Sequence, residues 1–326
     1  MDSHVRFVQD WDVDIIEQWK STQNEMAVLS TYLSDIARSI DDQTHESLRS
    51  SRSIMCRIEY DWKGGSMAHI KNGVQPCNLP KIKATPMLQP FWAAGFSFAR
   101  GHFIVQVPYD QYLPMVFQGE EISIAVRGFT FGYDYYAPSR HVAFHIYAIR
   151  DNADKRKNVR TFTENEVLFP GAKRKAYVRL NSIIGMNGGS HNRDGSEDAS
   201  GSKFFDELAD EYGLGNVRSP HKFYQTYGIH TDIQEIEDCL CDFVQGTHGE
   251  MSMHEQFSHF MRYDGMGIDY RMVEFQYKKV ERGDIEVSDE ELKKLRELLK
   301  KKQADAENSS NGTKASAQPS NNIVAR

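Results

Sequence analysis

Ala27-Val28-Leu29-Ser30-Thr31-Tyr32 reads as a buried β-strand, and the segments on either side of it decide the fold class. Upstream, Val8, Trp11, Ile15 and Trp19 recur at helical spacing, which predicts an amphipathic helix over residues 5–20. Downstream, residues 54–60 read as another strand and residues 103–107 as a strand broken at Pro108. Residues 119–127 predict a short helix, opened by acidic side chains that suit the positive end of the helix dipole. Residues 141–149 alternate as a strand. Strands interleaved with helices that lie on a mixed sheet predict an α/β domain.

Texture divides the chain further. Residues 1–180 carry the chemically dense core. Residues 181–202, with Asn187-Gly188-Gly189-Ser190, read as a flexible loop. Residues 203–302 read as a mainly helical annex. Within it Ser288 and Glu291 form a capping box ahead of Leu292, Leu295, Leu298 and Leu299 on one helix face. Residues 303–326 are small and polar, the composition of a disordered tail.

Composition excludes several classes. The 326 residues are 40% hydrophobic, enough for one large core or two modest ones. A net charge of −7 gives no footprint for general nucleic-acid binding. No apolar run approaches the roughly 20 residues of a membrane span, and the start lacks a basic-then-apolar signal pattern. The four cysteines, Cys56, Cys77, Cys239 and Cys241, are too few for a disulfide scaffold. Their simplest reading is buried or free thiols in a reducing, cytoplasmic setting. Cys239-x-Cys241 lacks the spacing and second pair of a zinc ribbon.

Four short stretches could carry chemistry. In Asp2-Ser3-His4, residues two apart on an extended strand face the same side, so a carboxylate and an imidazole can meet one divalent ion. Read alone, this is also an ordinary strand end. In His141-Val142-Ala143-Phe144-His145-Ile146-Tyr147, the residues Val142, Phe144 and Ile146 take the core face. His141, His145 and Tyr147 take the other face, toward water, a ligand or a metal. In Phe117-Gln118-Gly119-Glu120-Glu121, glycine lets the backbone approach a ligand, and the carboxylates can accept sugar hydroxyls or act as bases. Trp92-Ala93-Ala94-Gly95-Phe96-Ser97-Phe98 sets small residues among aromatics, as a floor under a sugar ring or a tightly crossed buried strand would.

The order of these motifs carries more than any one of them. D-S-H, W-A-A-G-F-S-F, V-P-Y-D, L-P-x-x-F-Q-G-E-E, G-Y-D-x-Y-x-P and F-H-I-Y follow one another from Asp2 to Arg150. The series resembles the eukaryotic cytoplasmic protein-hydroxyproline N-acetylglucosaminyltransferases, which modify the Skp-type adaptor of SCF ubiquitin ligases. It continues weakly through Leu214-Gly215-Asn216-Val217-Arg218-Ser219 to Tyr227-Gly228-Ile229, and no family motif follows about residue 232. It is more distantly similar to polypeptide GalNAc-transferases.

The resemblance implies a GT-A fold, UDP-GlcNAc as donor, a divalent cation (Mn²⁺ or Mg²⁺), an acceptor protein bearing hydroxyproline, and retention of anomeric configuration. Retention is served by same-face attack or by a covalent intermediate. Residue by residue, it implies Asp2, His4 and His145 as metal ligands, and Trp92, Ala94, Gly95, Phe96 and Gly119 along the donor sugar. Glu120 and Glu121 match the acidic pair near sugar and acceptor.

The sequence departs from the family at Leu33, where a proline is expected, and in the looser Gly128-Phe129-Thr130-Phe131. Family members also carry strands of the nucleotide-binding half before D-S-H, whereas here Met1 directly precedes Asp2. The expectation is a core without those strands, with an unpaired edge at the 27–32 strand or the Asp2 strand. Such a core would be marginally stable and weak in donor binding and transfer. A truncated, non-catalytic glycosyltransferase-like binding protein is the alternative function.

Overall fold

In the computed structural model, described over residues 4–61, 69–76, 79–147, 169–186, 209–237 and 241, short strands alternate with helices. The described residues lie within one compact unit, Met1–Val273. Their elements are β1 (Val5–Phe7), α1 (Trp11–Ser21), β2 (Ala27–Ser30), β3 (Ile58–Asp61), β4 (His69–Asn72), β5 (Met87–Gln89) and β6 (Ser97–Ala99). There follow α2 (His102–Gln106), α3 (Glu120–Phe131), β7 (Asp134–Ala137), β8 (Ala143–His145) and α4 (Ala172–Ile183). Last come α5 (Ala209–Tyr212), α6 (Pro220–Thr226), β9 (Ile229–His230) and β10 (Glu235–Ile236). No helix among the described residues is long and apolar enough to cross a membrane.

The central sheet is mixed, in the order β5-β7-β2-β6. β2 runs parallel to β7 and antiparallel to β6, and β5 runs antiparallel to β7. This is the mixed α/β architecture that the alternation predicted, and it is consistent with the GT-A-like fold that the resemblance implied. Every residue of β2 and of β7 is buried, as expected of inner strands covered on both faces. The expected unpaired edge at β2 is therefore not found: β2 is an inner strand, and the flanking strands are β5 and β6. Three smaller antiparallel pairs, β1–β8, β3–β4 and β9–β10, complete the described strands.

Long-range pairing and side-chain substitution explain where local reading misses. The helix expected over 5–20 begins only at Trp11, because Val5–Phe7 pair with Ala143–His145 instead. Ile15 and Trp19 still bury their side chains under α1, and the Trp19 indole donates to the Ala27 carbonyl at 2.8 Å. The strand expected over 54–60 shrinks to Ile58–Asp61. The amides of Met55 and Cys56 are taken up by the side-chain carbonyls of Gln89 and Gln75, both at 2.8 Å, where a ladder would have used a neighbouring strand. The strand expected over 103–107 is the helix α2. Phe103 and Val107 are buried four residues apart while Ile104 and Val105 are exposed, a helical period that the apolar run concealed. α3 forms as expected but runs on to Phe131, between Gly119 and Gly132, both at φ +100°. The strand expected over 141–149 shortens to Ala143–His145 among the described residues. Both of its faces are covered, since Val142, Phe144, His141 and His145 are all buried.

The thiol reading also changes. Cys56 and Cys241 form a disulfide across a sequence separation of 185 residues. That distance hid the pair behind the local Cys239-x-Cys241 spacing. Structural disulfides persist in oxidising surroundings, so cysteine usage no longer supports a reducing one. α4 reaches Ile183, past the expected boundary at residue 180. The glycine-rich stretch at 187–190, the capping box at Ser288 and the tail from 303 lie outside the described residues.

The weak late motif at 214–219 has a structural use. Gly215 donates to Thr130 Oγ1 at 2.8 Å, and a Cβ on it would meet the Thr130 carbonyl oxygen at 2.6 Å. Arg218 donates to the Gly132 and Tyr133 carbonyls and pairs with Asp134. The segment thus closes the C-terminal end of α3 and fixes the start of β7.

Candidate functional site

Four segments meet at the head of α3, and Glu121 ties them together. Its Oε1 accepts from the backbone N–H of Ala94 at 2.8 Å. Its Oε2 accepts from Asn72 Nδ2 at 2.7 Å and from the Tyr32 hydroxyl. Asn72 Nδ2 also donates to the Trp92 carbonyl at 3.2 Å, so the same amide holds both the glutamate and the loop. Tyr32 lies two residues beyond β2, Asn72 ends β4, Trp92–Ala94 follow β5, and Glu121 opens α3. Ser30 secures the other side of the loop: its Oγ accepts from the Ala93 N–H at 2.8 Å and donates to the Phe96 carbonyl at 3.1 Å.

Gly119 is required twice over. It holds φ +100° at the N-terminus of α3, and a Cβ there would lie 3.4 Å from His69 Cδ2, the Ile70 carbonyl and Leu180 Cδ1. Gly95 is different, since a Cβ there meets only ordinary contacts with Tyr32 and Thr31, at 3.8 and 3.9 Å. Neither packing nor a positive φ demands glycine at that position.

The electrostatics of the carboxyl pair follow from crowding. Burial, reinforced by the neighbouring Glu121, pushes the Glu120 carboxyl up to about 8. Burial first, then Glu121, raises the Tyr32 hydroxyl well above its usual range. Tyr109, set edge-on to Trp92 at 6.1 Å between ring centroids, is raised by burial and then by Glu120 and Glu121. Glu120 Oε2 and Trp92 Nε1 are both enclosed without a hydrogen-bond partner.

A second group lies beside the first. His145, at the end of β8, donates its backbone N–H to the Ser34 carbonyl at 2.9 Å and accepts from Ile36 N–H at 3.0 Å. The Tyr147 hydroxyl donates to the Leu33 carbonyl at 2.9 Å. One short segment therefore carries Tyr32 at Glu121 and Ser34 at His145, two residues and at most roughly 7 Å apart along the chain. The rings of His4 and His145 stand 6.0 Å apart, centroid to centroid, at 64°. Asp2 lies outside the described residues, and among the described residues no three His, Cys, Asp or Glu side chains converge on a metal position.

The sequence-selected residues thus fall into two neighbouring groups. Trp92, Ala94, Gly95, Phe96, Gly119, Glu120 and Glu121 form one, and His4 with His145 the other. Tyr32 and Asn72 were missed. Tyr32 had a signal, its place at the carboxyl end of an inner strand, where α/β sheets place ligands. Asn72 had none.

A family model described as glycosyltransferase (GlcNAc) matches residues 1–233. The chain belongs to this glycosyltransferase family. The matched span contains both groups and ends where recognisable motifs end, near residue 232. No curated protein matches the chain. As a GlcNAc glycosyltransferase, the protein works on a sugar-nucleotide donor and an acceptor. The head of α3, where an aromatic and small-residue loop is bound to the Glu121 carboxyl beside Glu120, is its candidate transfer site.

Proposed function

We propose that the protein transfers GlcNAc from UDP-GlcNAc to a hydroxyproline of an acceptor protein, with retention of configuration. The observation that carries this reading is the bridge from Glu121 to Asn72 and the Ala94 amide. It fixes the Trp92–Ala94 loop against the acidic head of α3. Gly95, which the fold does not need as glycine, leaves room for a ligand to approach the backbone.

Asp2, His4 and His145 would hold a divalent cation, Mn²⁺ or Mg²⁺, and their carboxylate and imidazole donors suit such an ion. When bound, the ion would neutralise the charge that develops on the leaving β-phosphate. The fixed polar groups at the head of α3 would then meet an oxocarbenium-like sugar.

The hydroxyproline acceptor, and a Skp-type adaptor as its bearer, rest on the motif order from Asp2 to Arg150. Cytoplasmic residence rests on the same resemblance, and the Cys56–Cys241 bond weighs against it. The acceptor is tested with two peptides identical except for hydroxyproline or proline at one position, incubated with UDP-GlcNAc and Mn²⁺. Mass spectrometry should show one added N-acetylhexosamine on the hydroxyproline peptide alone. Equal modification of both peptides would refute the hydroxyproline acceptor.

A further inference from the structure

The two carboxyl groups at the head of α3 stand in opposite surroundings. Glu121 receives Tyr32 Oη–H, Asn72 Nδ2–H and Ala94 N–H, the surroundings of an acceptor-only carboxylate. Glu120 receives no such set. Its own backbone N–H reaches its carboxyl, but Oε2 is enclosed with no partner. No basic side chain among the described residues forms an ion pair with Glu120. The groups around it are Glu121 on α3, Tyr32 beyond β2 and Tyr109 ahead of α3. His69 of β4 packs on Gly119 and stacks on Tyr177 of α4 at 3.9 Å. Two adjacent carboxylates in one enclosed space repel, and the one without donors is the one that keeps a proton.

We propose, on the transfer-site reading above, that Glu120 works as a neutral, proton-bearing hydrogen-bond donor to an oxygen of the bound sugar. Glu121 is then a positioning residue that carries the pair's negative charge and fixes the Trp92–Ala94 loop. Trp92 Nε1, in the loop that Glu121 holds through Ala94 and Asn72, is a second buried donor without a partner. Two donors without acceptors match oxygen atoms of a ligand, either a sugar hydroxyl or an amide carbonyl. Glu120 would neither accept a hydroxyl proton as a base nor stabilise cationic charge as a carboxylate.

The linkage has a definite sign. The folded carboxyl titrates at about 8 against an ordinary 4.5, so the folded state binds the proton more tightly. Its contribution to stability is full below about 4.5 and is lost as pH rises toward about 8.

The test compares the full chain with Glu120→Gln, Glu120→Ala and Glu121→Gln. Infrared difference spectra between about pH 6 and about pH 10 should show a protonated carboxyl band in the wild type. The band should be lost on raising pH and be missing from Glu120→Gln. Wild-type transfer should decline as pH rises through about 8. Glutamine keeps a donor at that position, so Glu120→Gln should retain at least about tenfold more transfer than Glu120→Ala and show no such decline. Glu120→Ala should fall about 10²-fold. Glu121→Gln turns an amide toward the Tyr32 and Asn72 donors. It should raise the donor KM and fall about 10²-fold.

A wild type without the band overturns the proposal, as does a Glu120→Gln enzyme as impaired as Glu120→Ala. Either result, with Glu120→Ala impaired, leaves the transfer site standing. Wild-type transfer by both Glu120→Ala and Glu121→Gln would remove the site and the proposal together.

Discussion

Arg218→Ala should destabilise the fold by about 3–5 kcal/mol, the scale for removing one partner of a buried ion pair. The guanidinium Nη1 lies 2.8 Å from Asp134 Oδ1, with side-chain exposures of 7% and 0%. The same group donates to the Tyr133 carbonyl at 3.1 Å and to the Gly132 carbonyl at 3.0 Å, and lies 4.8 Å above the Phe129 ring. Its loss removes the positive charge at 2.8 Å from Asp134, which keeps the Asn24 amide at 3.0 Å. Those carbonyls lie where α3 passes into β7, so the damage reaches the inner strand of the sheet. Arg218→Lys should recover little, since one ammonium cannot reproduce the planar fork. Urea unfolding of the three proteins measures this. A loss below about 1 kcal/mol for the alanine variant would place the pair among ion pairs of little net worth.

His145→Ala should abolish divalent-cation-dependent transfer, by more than the roughly 10–100-fold that follows loss of groups merely supporting a metal ligand. The fold should survive the change. The backbone hydrogen bonds of His145 to Ser34 and Ile36 persist with alanine. Loss of transfer without loss of fold is therefore the expected pattern. Calorimetric titration with Mn²⁺ separates it from general damage: the variant should bind the ion far more weakly while keeping the wild-type circular dichroism spectrum. Unchanged Mn²⁺ affinity in both His145→Ala and His4→Ala would remove these residues from the proposed cation site.

What the sequence shows depends on the range over which each feature is decided. α3 was legible because Gly119 and the acidic pair announce its start within three residues. β2 was legible because Ala27–Ser30 is buried on both faces and reads as an apolar run. β1 was not, because nothing in Val5–Phe7 announces a partner at Ala143–His145. α2 was mistaken for a strand because Phe103-Ile104-Val105 is apolar and includes β-branched Ile104 and Val105, yet only Phe103 of the three is buried. The acidic pair was located by motif order, but Glu120 and Glu121 could not be told apart in sequence. Their difference comes from Asn72, Tyr32 and Ala94, residues 27 to 89 positions away. The Cys56–Cys241 bond was hidden for the same reason.

Donor choice is the sharpest test of the proposed transfer. Equal concentrations of UDP-GlcNAc, UDP-GalNAc and UDP-glucose are offered together with Mn²⁺ and the hydroxyproline peptide. The enzyme is supplied in stoichiometric amount, and the product sugar and its anomeric configuration are read by mass spectrometry and NMR. GlcNAc is expected on the hydroxyproline oxygen in the donor's own anomeric configuration, with chelation of the metal stopping the reaction. Transfer of another sugar in preference, an inverted linkage, or undiminished transfer after chelation would contradict the proposed transfer.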